Sequence, residues 1–144
     1  MTTVQVVPVV SATAEVLDAC HRLIPQLSSS SAPNTMMELE EIVRGESTVL
    51  FAARSDGIIV GLLTLATFRI PTGVRAWIED VVVDDRARGR GVGEALNRAA
   101  LAEAHRRGAK TVDLTSRPSR EAANRLYQRI GFVRRDTNVY RYEL

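Results

Sequence analysis

A chain of 144 residues, 45% apolar and 25% charged, is sized and composed for a single globular domain spanning 1–144, which excludes disordered and fibrous classes. Nineteen basic against 17 acidic residues leave a net charge of +2, too small for a general nucleic-acid or membrane-surface binder. A single cysteine, Cys20, and two isolated histidines exclude a disulfide framework and offer no cluster for zinc, so no metal is expected.

No apolar run approaches the length needed to span a bilayer, and the N-terminus has no basic-then-apolar leader pattern, so a cytoplasmic protein is expected. Residues 3–7 are a β-branched run read as a first strand, and Pro8, which lacks an N–H, ends the pairing or lies on an edge. Ser11 or Thr13 caps a helix over 14–27, where Leu17, Cys20, Ile24 and Leu27 recur at helical spacing and Pro25 kinks or ends it. A serine-rich loop covers 28–34. A second helix runs over 35–43, with Gly45 after it.

Residues 47–54 and 58–68 are strands joined by Ser55-Asp56-Gly57, a hairpin signal, and Gly61 marks a bulge or a close approach in the second of them. A turn at 70–73 leads into a strand over 75–83, whose Val81-Val82-Val83 suits a position covered on both faces. Val92, Leu96 and Ala99 or Ala100 give the inner face of a helix that ends near Arg107, with Gly108 as its stop. The next strand, 111–115, follows a helical crossover and therefore runs parallel to 81–83. Ser119 is the expected cap of a last helix ended by Gly131, and Phe132-Val133 with 139–142 forms a closing hairpin around Asp136-Thr137-Asn138. The order is β-α-α-β-β-β-α-β-α-β-β, an α/β chain with a mixed sheet.

Between the buried valines and the third helix lies Asp84-Asp85-Arg86-Ala87-Arg88-Gly89-Arg90-Gly91-Val92-Gly93-Glu94. The first N–H groups of a helix lack intrahelical partners, and the peptide dipoles make that end electropositive. Three glycines allow close approach to that backbone, and Arg86, Arg88 and Arg90 add charge, so the stretch reads as a pyrophosphate site. It is not a Walker loop, because no Gly-Lys-Ser/Thr follows, nor a Rossmann loop, because the third glycine of Gly-x-Gly-x-x-Gly is missing.

Arg88-x-x-Gly91-x-Gly93, after a strand and before a helix, resembles the Arg/Gln-x-x-Gly-x-Gly/Ala signature of the GNAT superfamily of acyl-CoA-dependent N-acetyltransferases. Asn124-x-x-Tyr127 followed by Gly131-Phe132 is similar to that family's Asn-x-x-Tyr…Gly-Phe segment. The resemblance implies a sheet splayed between the strands of 81–83 and 111–115, with acetyl-CoA in the cleft. It implies that Val83 pairs with the pantetheine and that the amide of Val81 or Val82 meets the oxyanion. The backbone of Arg88, Gly89, Arg90, Gly91, Val92, Gly93 and Glu94 would hold the diphosphate. Asn124 would contact the pantetheine, and Tyr127 would sit at the thioester sulfur as general acid. A phenol of reference pKa ~10 matches a thiol closely enough for that role.

An alkylamine of pKa ~10.4 arrives as a cation, so a base is also needed. Glu79 and Asp80 precede the valines, and Glu79, which is preferred, shares strand parity with Val81 and Val83. A bulge would exchange the two acids. Trp77-Ile78-Glu79-Asp80-Val81 is most similar to the matching segment of hexosamine-phosphate acetyltransferases, a resemblance that implies a small amine acceptor and points to an amino sugar. A protein or peptide amine, or a non-catalytic acyl-CoA-binding module, are the alternatives. Arg117, Arg120 and Arg125 lie either at the coenzyme's 3′-phosphate or on a solvated face. Cys20 reads as a buried small hydrophobe, and His105 as solvated. Terminal strands leave edges that a second copy could cover, as a homodimer would.

Overall fold

The computed structural model describes residues 3–144. Its sheet grows from a tight hairpin. Asp56 and Gly57 take φ values of 54° and 77°, and two successive positive φ angles define the turn whose twist matches that of paired strands. The turn joins β1's neighbour to its partner: β1 is Val4–Pro8, β2 is Thr48–Ser55 and β3 is Ile58–Ile70. β4, Gly73–Val83, continues the meander, and β5, Ala109–Asp113, returns parallel to β4 after a helical crossover. The strand order is β1-β2-β3-β4-β5, antiparallel except for the last pair.

Helices cover both faces. On one, α1 (Ala14–Leu27) and α2 (Met36–Arg44) bring Val16, Ala19, Leu23 and Leu39 against Leu50, Ala52, Leu62 and Val82. On the other, α3 (Val92–Arg106) lays Val92, Leu96 and Ala100 on Phe51, Leu63, Leu65 and Ile78. Each fully buried leucine contributes about 1.5–3 kcal/mol. Cys20 is one of the buried residues of α1, as its apolar spacing predicts. Thr13 is the α1 cap, accepting from the Val16 amide at 3.2 Å, and α2 opens on a reciprocal box between Thr35 and Glu38.

Gly61 is both a bulge neighbour and a close approach. Ala53 faces Gly61 while Arg54 faces Ile59, so Val60 is the extra residue. A Cβ on Gly61 would stand 2.9 Å from Val92 Cγ1 and 3.0 Å from Leu96 Cδ1, so the glycine lets α3 seat directly on β3.

Two expectations are corrected. The last helix, α4, is Glu121–Ile130, and its cap is Arg120 rather than Ser119, with no side-chain bond. α1 ends at Leu27, where the sequence places its end, and Pro25 falls in its last turn, where little helix remains to be broken. The closing hairpin does not form. Beyond the half-buried Phe132, residues 133–144 are exposed and outside the sheet, and the charged run 134–136 gives the segment no apolar face to seat on the free edge of β5. No helix among the described residues is long and apolar enough to cross a membrane.

Candidate active site

β4 runs past its partner. Its pairing with β5 ends at Trp77–Asp113, so from Ile78 to Val83 the edge that faces β5 has no strand beside it. The two parallel strands therefore part where the sequence reading expects the splay. On its other edge β4 carries a bulge: Thr64 opposes Glu79, whereas Leu62 opposes Val82, so β4 has one residue more than β3. Asp80 takes φ 50°, a left-handed conformation rare for a non-glycine residue and found where surrounding structure enforces it.

That bulge corrects the parity argument. Ile78 packs with α3's core, so Glu79, next along the pleat, faces the side of α1. After the bulge it is Val82 that packs in the α1-side core, while Val81 and Val83 border the α3 side. Glu79 thus shares a face with Val82, not with Val81 and Val83. Both acids are exposed.

The loop after β4 is pinned at two buried points, Ala87 and Val92, and everything between them is exposed. Gly89 and Gly91 take φ 79° and 78°, and a Cβ on either would meet nothing within 4 Å. Conformation rather than crowding requires these glycines, and the space above them is open. Gly91 is the α3 N-cap and supplies no side-chain bond to the first turn, whose earliest ladder bond is from the Ala95 amide to the Gly91 carbonyl. The amides of Val92, Gly93 and Glu94 therefore have no intrahelical acceptor. This is a donor set suited to a diphosphate, and the unpaired β4 edge is suited to an extended amide-bearing arm. Gly93 acts differently from its neighbours. A Cβ there would stand 3.1 Å from Leu126 Cδ2 and 3.9 Å from Val83 Cγ2, so this glycine joins α3, α4 and the end of β4. The Glu94 carboxylate strengthens the joint by bonding Arg98 at 3.1 Å and Arg129 at 3.2 Å, which holds it below the usual carboxylate range.

Arg88 pairs with Asp85 at 3.0 Å, and Arg90 makes no ion pair among the described residues. On α4, the Tyr127 ring is buried and meets Phe132 edge-on, with ring centroids 5.7 Å apart. Burial pushes the phenol up from its ordinary value and nearby Arg120 partly offsets this, so the hydroxyl keeps its proton at neutral pH. Asn124 donates both amide hydrogens, to the carbonyls of Arg117 and Arg120 at 2.9 Å, clamping the loop that enters α4 and leaving its side-chain oxygen available. Arg117 and Arg125 are exposed. Cys20 and His105 are away from this cluster. Burial raises the Cys20 thiol, which keeps it unreactive, and His21 bonds the Asn34 carbonyl at 2.7 Å, tying down the serine-rich loop.

Sequence reasoning missed the residues that fix the loop's origin. Asp84 is buried and caps the short 3₁₀ turn Asp85–Ala87 by accepting from the Arg86 amide at 3.1 Å. Arg22 of α1 lies 3.9 Å from the other Asp84 oxygen and donates to the Ile59 carbonyl. Gln26 accepts from the Asp85 amide at 2.9 Å. Asn97 was also missed: it is fully buried on α3 and donates to the Gly93 carbonyl at 2.8 Å.

Comparison with known proteins bears on this arrangement. Residues 15–132 match the family model described as "Acetyltransferase (GNAT) family". The chain belongs to the GNAT acetyltransferase family. Solved structures of the same fold include a Trypanosoma brucei acetyltransferase, 25% identical with a TM-score of 0.79, covering 99% of this chain and 100% of that one. Glucosamine-6-phosphate N-acetyltransferase from Arabidopsis thaliana is 20% identical with a TM-score of 0.81, over 97% of this chain and 98% of that one. The aminoglycoside N-acetyltransferase AAC(6')-Iy, in complex with CoA, is 17% identical with a TM-score of 0.83, over 99% and 96%. No curated protein matches the sequence. Within this GNAT chain, Gly93 brings the glycine loop, α4 and the end of β4 together, beside the β4 edge that β5 leaves unpaired.

Proposed function

We propose that the protein is an acetyl-CoA-dependent N-acetyltransferase acting on a small primary amine, of the amino-sugar class, by direct attack in a ternary complex. The observation that carries the reading is the conjunction of an uncapped α3 N-terminus with an unpaired β4 edge that leads from it toward the bulge. Acetyl-CoA, when bound, supplies an acetyl group activated as a thioester. The chain's own groups do the remainder. The Val92, Gly93 and Glu94 amides and the Arg88–Gly91 backbone bind the diphosphate, Val83 pairs with the pantetheine, and the Asn124 side-chain oxygen accepts from it. The Val81 or Val82 amide, beside the bulge, stabilises negative charge on the acetyl oxygen. The Tyr127 hydroxyl holds the proton that the departing sulfur requires. Glu79 attracts the ammonium and takes its proton, with Asp80 as the second acid at the bulge.

The amino-sugar class is supported by the similarity around Glu79, by two neighbours whose names carry amino-sugar acceptors, and by the exposed acid pair, which suits a cation. A purely acyl-CoA-binding role would leave the buried phenol and the acid pair without a task. The test is thiol release from acetyl-CoA across a panel of amino sugars, polyamines and peptides. Expected is turnover with amino sugars. Glu79→Gln should lower kcat/KM by about 10²-fold at neutral pH, and by less where the amine is already neutral. Turnover confined to peptides, or an equal deficit at every pH, would contradict the respective assignment.

A further inference from the structure

α1 carries a polar stripe that reaches the loop after β4. Asp18, Arg22 and Gln26 recur every fourth residue and so lie along one face of the helix. Asp18 braces Arg22 Nε at 2.9 Å, and Gln26 Nε2 donates back to the Arg22 carbonyl at 3.4 Å. The stripe then leaves its own helix. Arg22 Nη2 donates to the Ile59 carbonyl at 3.2 Å, and Nη1 stands 3.9 Å from Asp84 Oδ2. Gln26 Oε1 accepts from the Asp85 amide at 2.9 Å.

These contacts fall where the loop has little else to hold it. Among the described residues, no other hydrogen bond from another element reaches 85–90, and Ala87 is the one buried side chain there. The Asp84 cap on the Arg86 amide and the Arg88–Asp85 pair are internal to the loop, so they fix its shape and not its place. Asp84 is 8% exposed, and a charge so buried needs a partner. Arg22 supplies one from outside the loop.

We infer, on the reading that this loop holds the diphosphate, that Arg22 and Gln26 are positioning residues for coenzyme A. Together they set where the loop starts, and through it where the Gly89–Gly91 backbone stands relative to the first turn of α3. Each acts through the loop rather than on the ligand. A loop already in place binds without first losing its freedom, whereas a loose one subtracts that ordering cost from the affinity.

Gln26 is the cleaner probe. It is exposed, and its loss leaves the Asp85 amide to water, whereas loss of Arg22 strands the buried Asp84 carboxylate. The test is calorimetric titration of coenzyme A into the unmodified protein, Gln26→Leu and Gln26→Glu, with amide nitrogen relaxation and thermal unfolding of the same proteins free of coenzyme. For Gln26→Leu the expected result is a Kd raised about 3–10-fold, the scale of one hydrogen bond. Order parameters at 85–90 should fall, and the melting temperature should stay where it is. Gln26→Glu keeps an oxygen that can accept from the same N–H and should restore most of the affinity. Equal affinity in Gln26→Leu overturns the inference, as does a loss that tracks a lower melting temperature and is not restored by Gln26→Glu. Either result leaves coenzyme binding by the unmodified protein standing. No uptake by the unmodified protein would instead refute the coenzyme reading, and this inference with it.

Discussion

Tyr127→Phe should keep coenzyme A affinity and lose about 10²–10⁴-fold in kcat, the range for removal of a positioned general acid. The substitution isolates the hydroxyl. The ring is buried and stacked edge-on against Phe132, and phenylalanine preserves both features, so the melting temperature should not move appreciably. The pH profile adds a second signature. Burial raises the phenol above its ordinary value, so its protonated form persists through neutrality and is lost only under alkaline conditions. The unmodified enzyme should therefore hold kcat across neutral pH and decline on a far alkaline limb, and the variant should lack that limb. Steady-state thiol release over pH measures both. Undiminished turnover in the variant would remove Tyr127 from the chemistry.

Gly61→Val should destabilise the fold. Strand propensity alone predicts stabilisation, since valine favours strands and glycine weakens them. Sterics decide otherwise. Even the first added carbon would stand 2.9 Å from Val92 Cγ1, 3.0 Å from Leu96 Cδ1 and 3.2 Å from the Val82 carbonyl oxygen. Overpacking of this kind costs about 1–3 kcal/mol, and at about 2–4 °C per kcal/mol the melting temperature should fall by roughly 2–12 °C. Because the displaced residue is Val92, the first of α3, the loss should extend to coenzyme A binding. Thermal unfolding with and without the coenzyme measures both. A melting temperature that is unchanged or raised would show that α3 does not seat on β3 as described.

Local chemistry was the legible part of this chain. The turn residues Asp56-Gly57, the stop at Gly108, and Gly89 and Gly91 at the head of α3 each announce a backbone requirement in the residue itself. The helical crossover dictates the parallel β4–β5 pair. What sequence could not give was set by partners distant along the chain. Gly93 looks like its two neighbours in the loop, yet its role is to admit Leu126. The bulge that turns Glu79 toward α1 depends on which β3 residues oppose it, and no residue marks it. Gln26 reaches the Asp85 amide across 59 positions of sequence, beyond any local pattern. Asn97 is passed over by a reading of apolar periodicity because it is polar, although it is fully buried. The closing hairpin shows the reverse case: the alternation at 140–144 is plain in the sequence, yet alternation states only that a face could be covered, and 133–144 are exposed.

The central claim is that backbone amides at the uncapped start of α3 grip the diphosphate of coenzyme A. Isothermal titration of coenzyme A into the unmodified protein and into Gly91→Val tests it most directly, because the left-handed φ of 78° at Gly91 is one that valine resists. One coenzyme A bound per chain by the unmodified protein, with affinity much reduced in the variant, is the predicted result. No heat at millimolar coenzyme A, or equal affinity in the two proteins, would contradict it.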